Sequence, residues 1–175
     1  AISCIFMGTG VPTTATYIIL VAVAAPALTQ LQIEPIVSHF FVFYYGVLAD
    51  ITPPVALAAY AAAGIAGSNP FTTGNTAFRL GIAKALGPFV FVYSPSLLLV
   101  AQGFNFYDFF VTLISAMIGI GLIGIGFTGY LFKSVSTFQR LYLGIISLLF
   151  IAPGLSSSII GLVLVLPVFV LQLRK

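Results

Sequence analysis

Apolar residues run through this chain in long blocks, and where each block is interrupted decides what it predicts. A helix that crosses a bilayer takes about 20 mostly apolar residues. The stretch from about Ala77 to Gln102 meets that length and carries Pro88 and Pro95, which predict kinks. The stretch from about Tyr107 to Phe132 meets it with no internal proline. Leu141 to Leu173 is too long for one span and is interrupted by Pro153, Gly154 and Ser156 to Ser158, which predicts a tight helical hairpin. The predicted organisation is a re-entrant hairpin over 1–29, a discontinuous helix over 36–66, two transmembrane helices within 71–135 and a C-terminal helical hairpin over 136–175. The fold class is all-α, a polytopic integral membrane protein.

The first 70 residues differ from the rest because their apolar blocks are broken in the middle. Gly8-Thr9-Gly10-Val11-Pro12-Thr13-Thr14 interrupts one, and Ala49-Asp50-Ile51-Thr52-Pro53-Pro54 interrupts the other. Pro53 and Pro54 remove two helix N–H donors and disfavour helical geometry before them, while Gly8 and Gly10 weaken helix locally. Non-helical backbone at membrane depth survives only when buried in protein or lining a watery cavity.

Composition sets the medium. The chain is 61% hydrophobic and 5% charged, with a mean hydropathy of +1.21, which lipid tolerates and a soluble globule does not. The net charge of +3 comes from basic residues set singly or in pairs between apolar runs. That is no nucleic-acid patch; it suits the Lys and Arg bias of cytoplasmic loops. With Arg79 and Lys84 placed in the cytoplasm, Lys133, Arg140, Arg174 and Lys175 fall on the same side, and Glu34 and Asp108 fall outside. That count requires the opening segment to be a re-entrant hairpin entering from outside; full crossing is the alternative. One cysteine, one histidine and three carboxylates make neither a disulfide framework nor a zinc cluster. The chain opens at Ala1 inside an apolar run without a basic leader, so the expectation is a fragment rather than a signal peptide.

Two broken helices near the midplane point to the site of a secondary transporter, since half-helix N-termini attract anions and freed carbonyls coordinate sodium. The candidate ion and substrate residues are Gly8, Gly10, Thr13, Thr14, Ala49, Asp50 and Thr52, with sodium expected at Gly10, Thr13, Asp50 and Thr52. The glycines let backbone approach an ion, and the threonines add hydroxyls. The plainer alternative is a pair of proline kinks without ligand. Asp50 is the one carboxylate inside an apolar segment, where a charge costs about 2.5–3.5 kcal/mol. It contributes to a cation site, carries a proton, or caps a half-helix starting near Pro53. His39, beside Phe40 and Phe41, reads as a packed, hydrogen-bonded residue. Gly119-Ile120-Gly121-Leu122-Ile123-Gly124 matches a dinucleotide pattern but has no strand before it; Ser115, Gly119 and Gly126 share a helix face suited to close packing. No nucleophile and base pair or metal triad is present, so no enzyme is expected, and no cofactor beyond Na+ as coupling ion.

The residues from Met7 to Leu28, from Ser38 to Gly67, and the AFRLGIAKALGPFVFVYSPSLLL that follows resemble the large permease subunit of TRAP transporters (tripartite ATP-independent periplasmic transporters). The likeness is to the branch in which small and large membrane subunits are fused, and the stretch after about Asn105 looks like that branch's extra C-terminal helices. The resemblance implies an elevator-type carrier in which residues 1–70 belong to the transport domain. Gly8 to Thr14 would be the second hairpin tip and Ala49 to Pro54 the break of the discontinuous helix after it. It also implies sodium-driven uptake of small organic solutes, often carboxylates, delivered by a periplasmic solute-binding protein of the TAXI type. The partners are then that protein, the lipid bilayer and the N-terminal part of the permease, with no nucleic acid, in a bacterial inner membrane. On this likeness Thr52 is expected to affect sodium dependence more reliably than Asp50. Rival readings are a proton-coupled carrier in which Asp50 titrates, and a non-transporting membrane scaffold.

Overall fold

The computed structural model describes residues 1–99 and 104–173. In chain order the helices are α1 Ile2–Gly8, α2 Thr13–Val23, α3 Ala25–Gln30, α4 Pro35–Ala49, α5 Leu57–Ala66, α6 Pro70–Gly81, α7 Gly87–Tyr93, α8 Phe106–Thr128, α9 Thr137–Ile151 and α10 Leu155–Leu173. Short 3-10 turns at Ile82–Leu86 and Pro95–Leu97 join some of them. Among the described residues the fold is all helical, with one isolated bridge between Tyr130 and Ser134. Among the described residues, three stretches are long and apolar enough to cross a membrane: Thr13–Gln30, Phe106–Thr128 and Leu155–Leu173. Many apolar side chains point outward, Ile18, Ile65, Met117 and Ile159 among them, as expected where hydrocarbon is the solvent.

The chain divides into two compact units, Ala1–Pro88 and Phe89–Lys175. In the first, α4 is the centre, with α1, α2 and α3 packed on it. Its buried residues Val37, Phe41, Val42, Tyr45, Leu48 and Ala49 recur at helical spacing. Close approach rests on small residues. A Cβ on Gly46 would stand 3.0 Å from Thr16 Cγ2, and Ala24 and Pro26 mark the step from α2 into α3. Farther along, Gly74 of α6 lies under the Tyr60 ring of α5.

The stretch from Ala77 to Gln102 differs from the single kinked span expected of it. Helix α6 stops at Gly81, a 3-10 turn follows, and α7 ends at Tyr93. Ser94 is then non-helical (φ −141°, ψ 76°), because the ring of Pro95 disfavours helix at the residue before it. Val100 to Gly103 lie outside the described residues.

In the second unit the helices are longer and capped in regular ways. Asn105 caps α8 through its side chain, and Gly129 ends it in the left-handed conformation (φ +75°). Ser136 and Gln139 form a reciprocal capping box on α9. Gly154 (φ +110°) turns the chain from α9 into α10, at the interruption predicted for the hairpin. The core joins Leu122, Leu143, Ile146, Phe150, Val165 and Val168. The glycine face of α8 is a helix contact: a Cβ on Gly119 would lie 3.1 Å from the Ser147 carbonyl oxygen, and one on Gly126 would lie 3.3 Å from that of Arg140. Ser115 and Ser158 share a hydrogen bond of 2.9 Å, which satisfies two hydroxyls inside an apolar bundle.

Candidate functional site

The first interruption is a tight tip. After α1 ends, Thr9 is extended (φ −66°, ψ 126°) and Gly10 adopts φ +79°, a conformation open to glycine at little cost. Pro12 (φ −56°, ψ 142°) then starts α2 with no side-chain cap. The tip is held by local bonds: the Thr9 hydroxyl donates to Phe6 O at 2.7 Å, and the buried Thr16 hydroxyl donates back to Val11 O at 3.1 Å.

The second interruption unwinds in steps. The N–H groups of Asp50, Ile51 and Thr52 donate to Val47, Leu48 and Ala49 at 3.3, 3.2 and 3.1 Å, so the last turn of α4 tightens before the prolines end it. Ala56, fully buried, takes a left-handed conformation (φ 36°, ψ 51°), costly for a residue with a Cβ. The loop closes where Ala58 N–H donates to Asp50 O at 3.1 Å and Tyr60 Oη donates to Pro54 O at 2.7 Å. The half-helix therefore begins at Leu57 rather than near Pro53. Its N-cap is Ala56, without a side-chain bond, so the Asp50 carboxylate is not its cap.

The two interruptions meet. Thr13 Oγ1 donates to Asp50 Oδ2 at 2.8 Å across 37 residues of chain. A Cβ on Gly8 would stand 2.9 Å from both Ala49 Cβ and Thr16 Cγ2, and one on Gly10 would stand 3.5 Å from Val55 Cγ1. Gly8 is thus required by close approach, and Ala49 serves as the small surface it rests on. Two expected residues stand apart. Thr14 is exposed, and the Thr52 hydroxyl is turned back to Leu48 O at 2.8 Å. Among the described residues, the carbonyls of Thr9, Gly10, Ile51 and Pro53 accept no hydrogen bond from the protein. These are the kind of neutral oxygen ligands that suit a hard monovalent cation.

Thr16 and Tyr17 were not among the residues picked out by sequence. Thr16 lies in the same hydroxyl-bearing start of α2 as Thr13 and Thr14 and is legible only in hindsight. Tyr17 meets His39 with 2.8 Å between Tyr17 Oη and His39 Nδ1, and the two line a groove of about 690 Å3 with Pro35, Ile36, Phe40 and Phe43. Nothing local in the sequence pairs residues so far apart. No group of three or more His, Cys, Asp or Glu that could hold a transition metal occurs among the described residues. Asp50 and Thr13 present oxygen atoms alone, the donor type that suits hard cations rather than transition metals.

No curated protein and no solved structure matches this chain. A family model described as "Tripartite ATP-independent periplasmic transporter, DctM component" matches residues 1–106, a stretch that contains both interruptions, the Thr13–Asp50 bond and more than half of the chain. The joined breaks, the outward apolar surface and this match lead to one conclusion: the chain belongs to the DctM family, the large permease component of TRAP transporters.

Proposed function

We propose that this chain forms part of a sodium-coupled permease that imports small organic solutes, in particular carboxylates, handed over by a periplasmic solute-binding protein of the TAXI type. Membership of the DctM family supports transport through a multi-pass membrane protein. The observation that carries the finer reading is the 2.8 Å bond from Thr13 to Asp50, which joins two non-helical segments into one polar cluster. In this reading α1 and α2 are the limbs of a re-entrant hairpin in an elevator-type transport domain spanning residues 1–70, α4 and α5 are the halves of a discontinuous helix, and sodium stabilises the closed tip. Asp50 supplies charge, Thr13 holds the carboxylate and offers its oxygen, and backbone carbonyls complete the shell. The uncapped start of α2, with Thr13 and Thr14 in its first turn, faces the anionic end of the solute. Residues beyond the family match are assigned to the extra helices of the fused branch, in a bacterial inner membrane with the basic loops inside.

The test is uptake by the complete transporter in proteoliposomes with its binding protein. An imposed sodium gradient should drive uptake and a proton gradient alone should not. Uptake that follows the proton gradient and disappears in Asp50→Asn would assign Asp50 to proton carriage instead. The orientation has its own test, a cysteine at Asn105. It should react with an impermeant reagent in intact cells, and reaction only after the membrane is opened would reverse the assigned topology.

A further inference from the structure

A polar cleft enters the second unit beside the break at Ser94. Among the described residues it is lined by Tyr93, Ser94, Ser96, Tyr107, Asp108 and Thr112, and its volume is about 340 Å3. Ser94, Thr112 and Gly154 also wall a smaller pocket of about 20 Å3, which continues inward to Ser115, Ala152 and Ser158. From Asp108 to Ser115 is about 10 Å along α8. That helix is apolar enough to cross a membrane, so hydroxyls gathered on one side of it need partners that hydrocarbon does not supply.

The hydroxyls at the inner pocket divide into spare donors and spare acceptors. Helix threonines elsewhere in the chain return their hydroxyl to the carbonyl four residues back, as Thr76 does to Thr72 O and Thr128 to Gly124 O, both at 2.8 Å. Thr112 makes no such bond, and neither its hydroxyl nor that of Ser94 has a partner among the described residues. Opposite them, Ser115 and Ser158 share a bond of 2.9 Å, and Ala152 O takes the Ser157 hydroxyl at 3.0 Å. Lone pairs remain on these oxygens for a further donor. A pocket holds a water when it has about 10–15 Å3 for the molecule and two to four polar partners, and this one meets both conditions for a single water. Charge argues for a neutral occupant as well. Asp108 at the mouth repels an anion, and the N-terminal turn of α8 repels a cation.

We infer that the inner pocket binds one water molecule, which accepts from the Ser94 and Thr112 hydroxyls and donates to the serine pair and the Ala152 carbonyl, and that the outer cleft joins it to bulk solvent. The water solvates the place where Pro95 ends the helical path of α7. It also links the Ser94 break to the turn at Gly154, between which no direct hydrogen bond is made among the described residues.

The test uses the complete permease in proteoliposomes, with a charged thiol reagent on both sides of the membrane. Such a reagent attacks the thiolate, a form that needs water, so Thr112→Cys should react about tenfold faster or more than Ile114→Cys, both read above the unsubstituted permease. Ile114 points outward from the same stretch of α8. A cryo-electron map of the permease, at a resolution that shows ordered water, should carry one peak between Ser94 and Thr112. The peak should persist in Thr112→Ser, which keeps the hydroxyl, and vanish in Thr112→Val, which keeps the shape. The map decides the matter even where a cysteine variant fails to fold. Slow reaction at both cysteines would show a dry cleft, and equally fast reaction at both would show a helix wet on every side; either overturns the proposal. So does a wild-type map with no peak, or a peak that survives Thr112→Val.

Discussion

The two compact units solve the same solvent problem in opposite ways. In the second, most polar groups sit at helix ends as caps and turns, and hydroxyls left inside are satisfied by one another or by backbone carbonyls, as Ser115 is by Ser158 and Ser147 by Gly144 O. In the first, the helices are short and stop in the middle of apolar blocks, and a hydroxyl and a carboxylate from two such stops meet at Thr13 and Asp50. Interrupting a helix in lipid is expensive unless something satisfies the freed groups. The first unit accepts that cost at two places that touch, whereas the break at Ser94 in the second is hydrogen-bonded to no other interruption among the described residues. On the proposed function, that difference separates a region that binds from one that spans.

The sharpest way to break this comparison is to fill one glycine in each unit. Gly8→Val would drive a side chain into Ala49 and Thr16 from 2.9 Å, and the Ala49 Cβ, fixed to the backbone, cannot rotate away. It should cost about 1–3 kcal/mol of stability and abolish sodium-driven uptake, because the tip could no longer rest on the break. Gly119→Val meets the Ser147 carbonyl oxygen at 3.1 Å and should cost a similar amount in thermal unfolding. The molecules that remain folded should nonetheless keep wild-type sodium dependence. If Gly8→Val transports normally, the contact between the interruptions is not part of the mechanism.

A graded series follows within the cluster. Asp50→Asn should raise the sodium concentration for half-maximal uptake about tenfold, equivalent to ~1.4 kcal/mol. Thr13→Val keeps shape but leaves Asp50 without its hydroxyl donor, and a rise of about threefold to tenfold is expected. Thr52→Ala should have the least effect, since its hydroxyl is already given to Leu48 O. This ranking reverses the order expected from sequence likeness, which favoured Thr52. Equal effects of all three on sodium dependence would show that the side-chain bonds do not grade the site.

The smallest expected effect is in the second unit. A double-mutant cycle on Ser115→Ala and Ser158→Ala should return a coupling of about 0.6 kcal/mol in unfolding, the usual size for hydrogen bonds between membrane helices. Sodium-driven uptake should not change. A clear loss of sodium affinity in either variant would blur the division between the two units.

What the sequence determined by itself is local. A missing N–H at Pro53 and Pro54, the absence of a Cβ at Gly10 and Gly154, and the run of apolar side chains act where they stand. The medium, the two interruptions and the helix break at Gly154 were therefore readable from composition and spacing. The close-packing face of α8 was readable for the same reason, since helical periodicity alone places Ser115, Gly119 and Gly126 together. Tertiary structure decided which distant groups meet. Thr13 reaches Asp50 and Tyr17 reaches His39 only because Gly8 and Gly46 let α1, α2 and α4 approach closely. The buried left-handed turn at Ala56 delays α5 to Leu57 and so frees Asp50 from capping duty. Propensity at Ala56 argues against such a turn; packing and the bonds from Ala56 to Thr52 O, Ala58 to Asp50 O and Tyr60 to Pro54 O hold it.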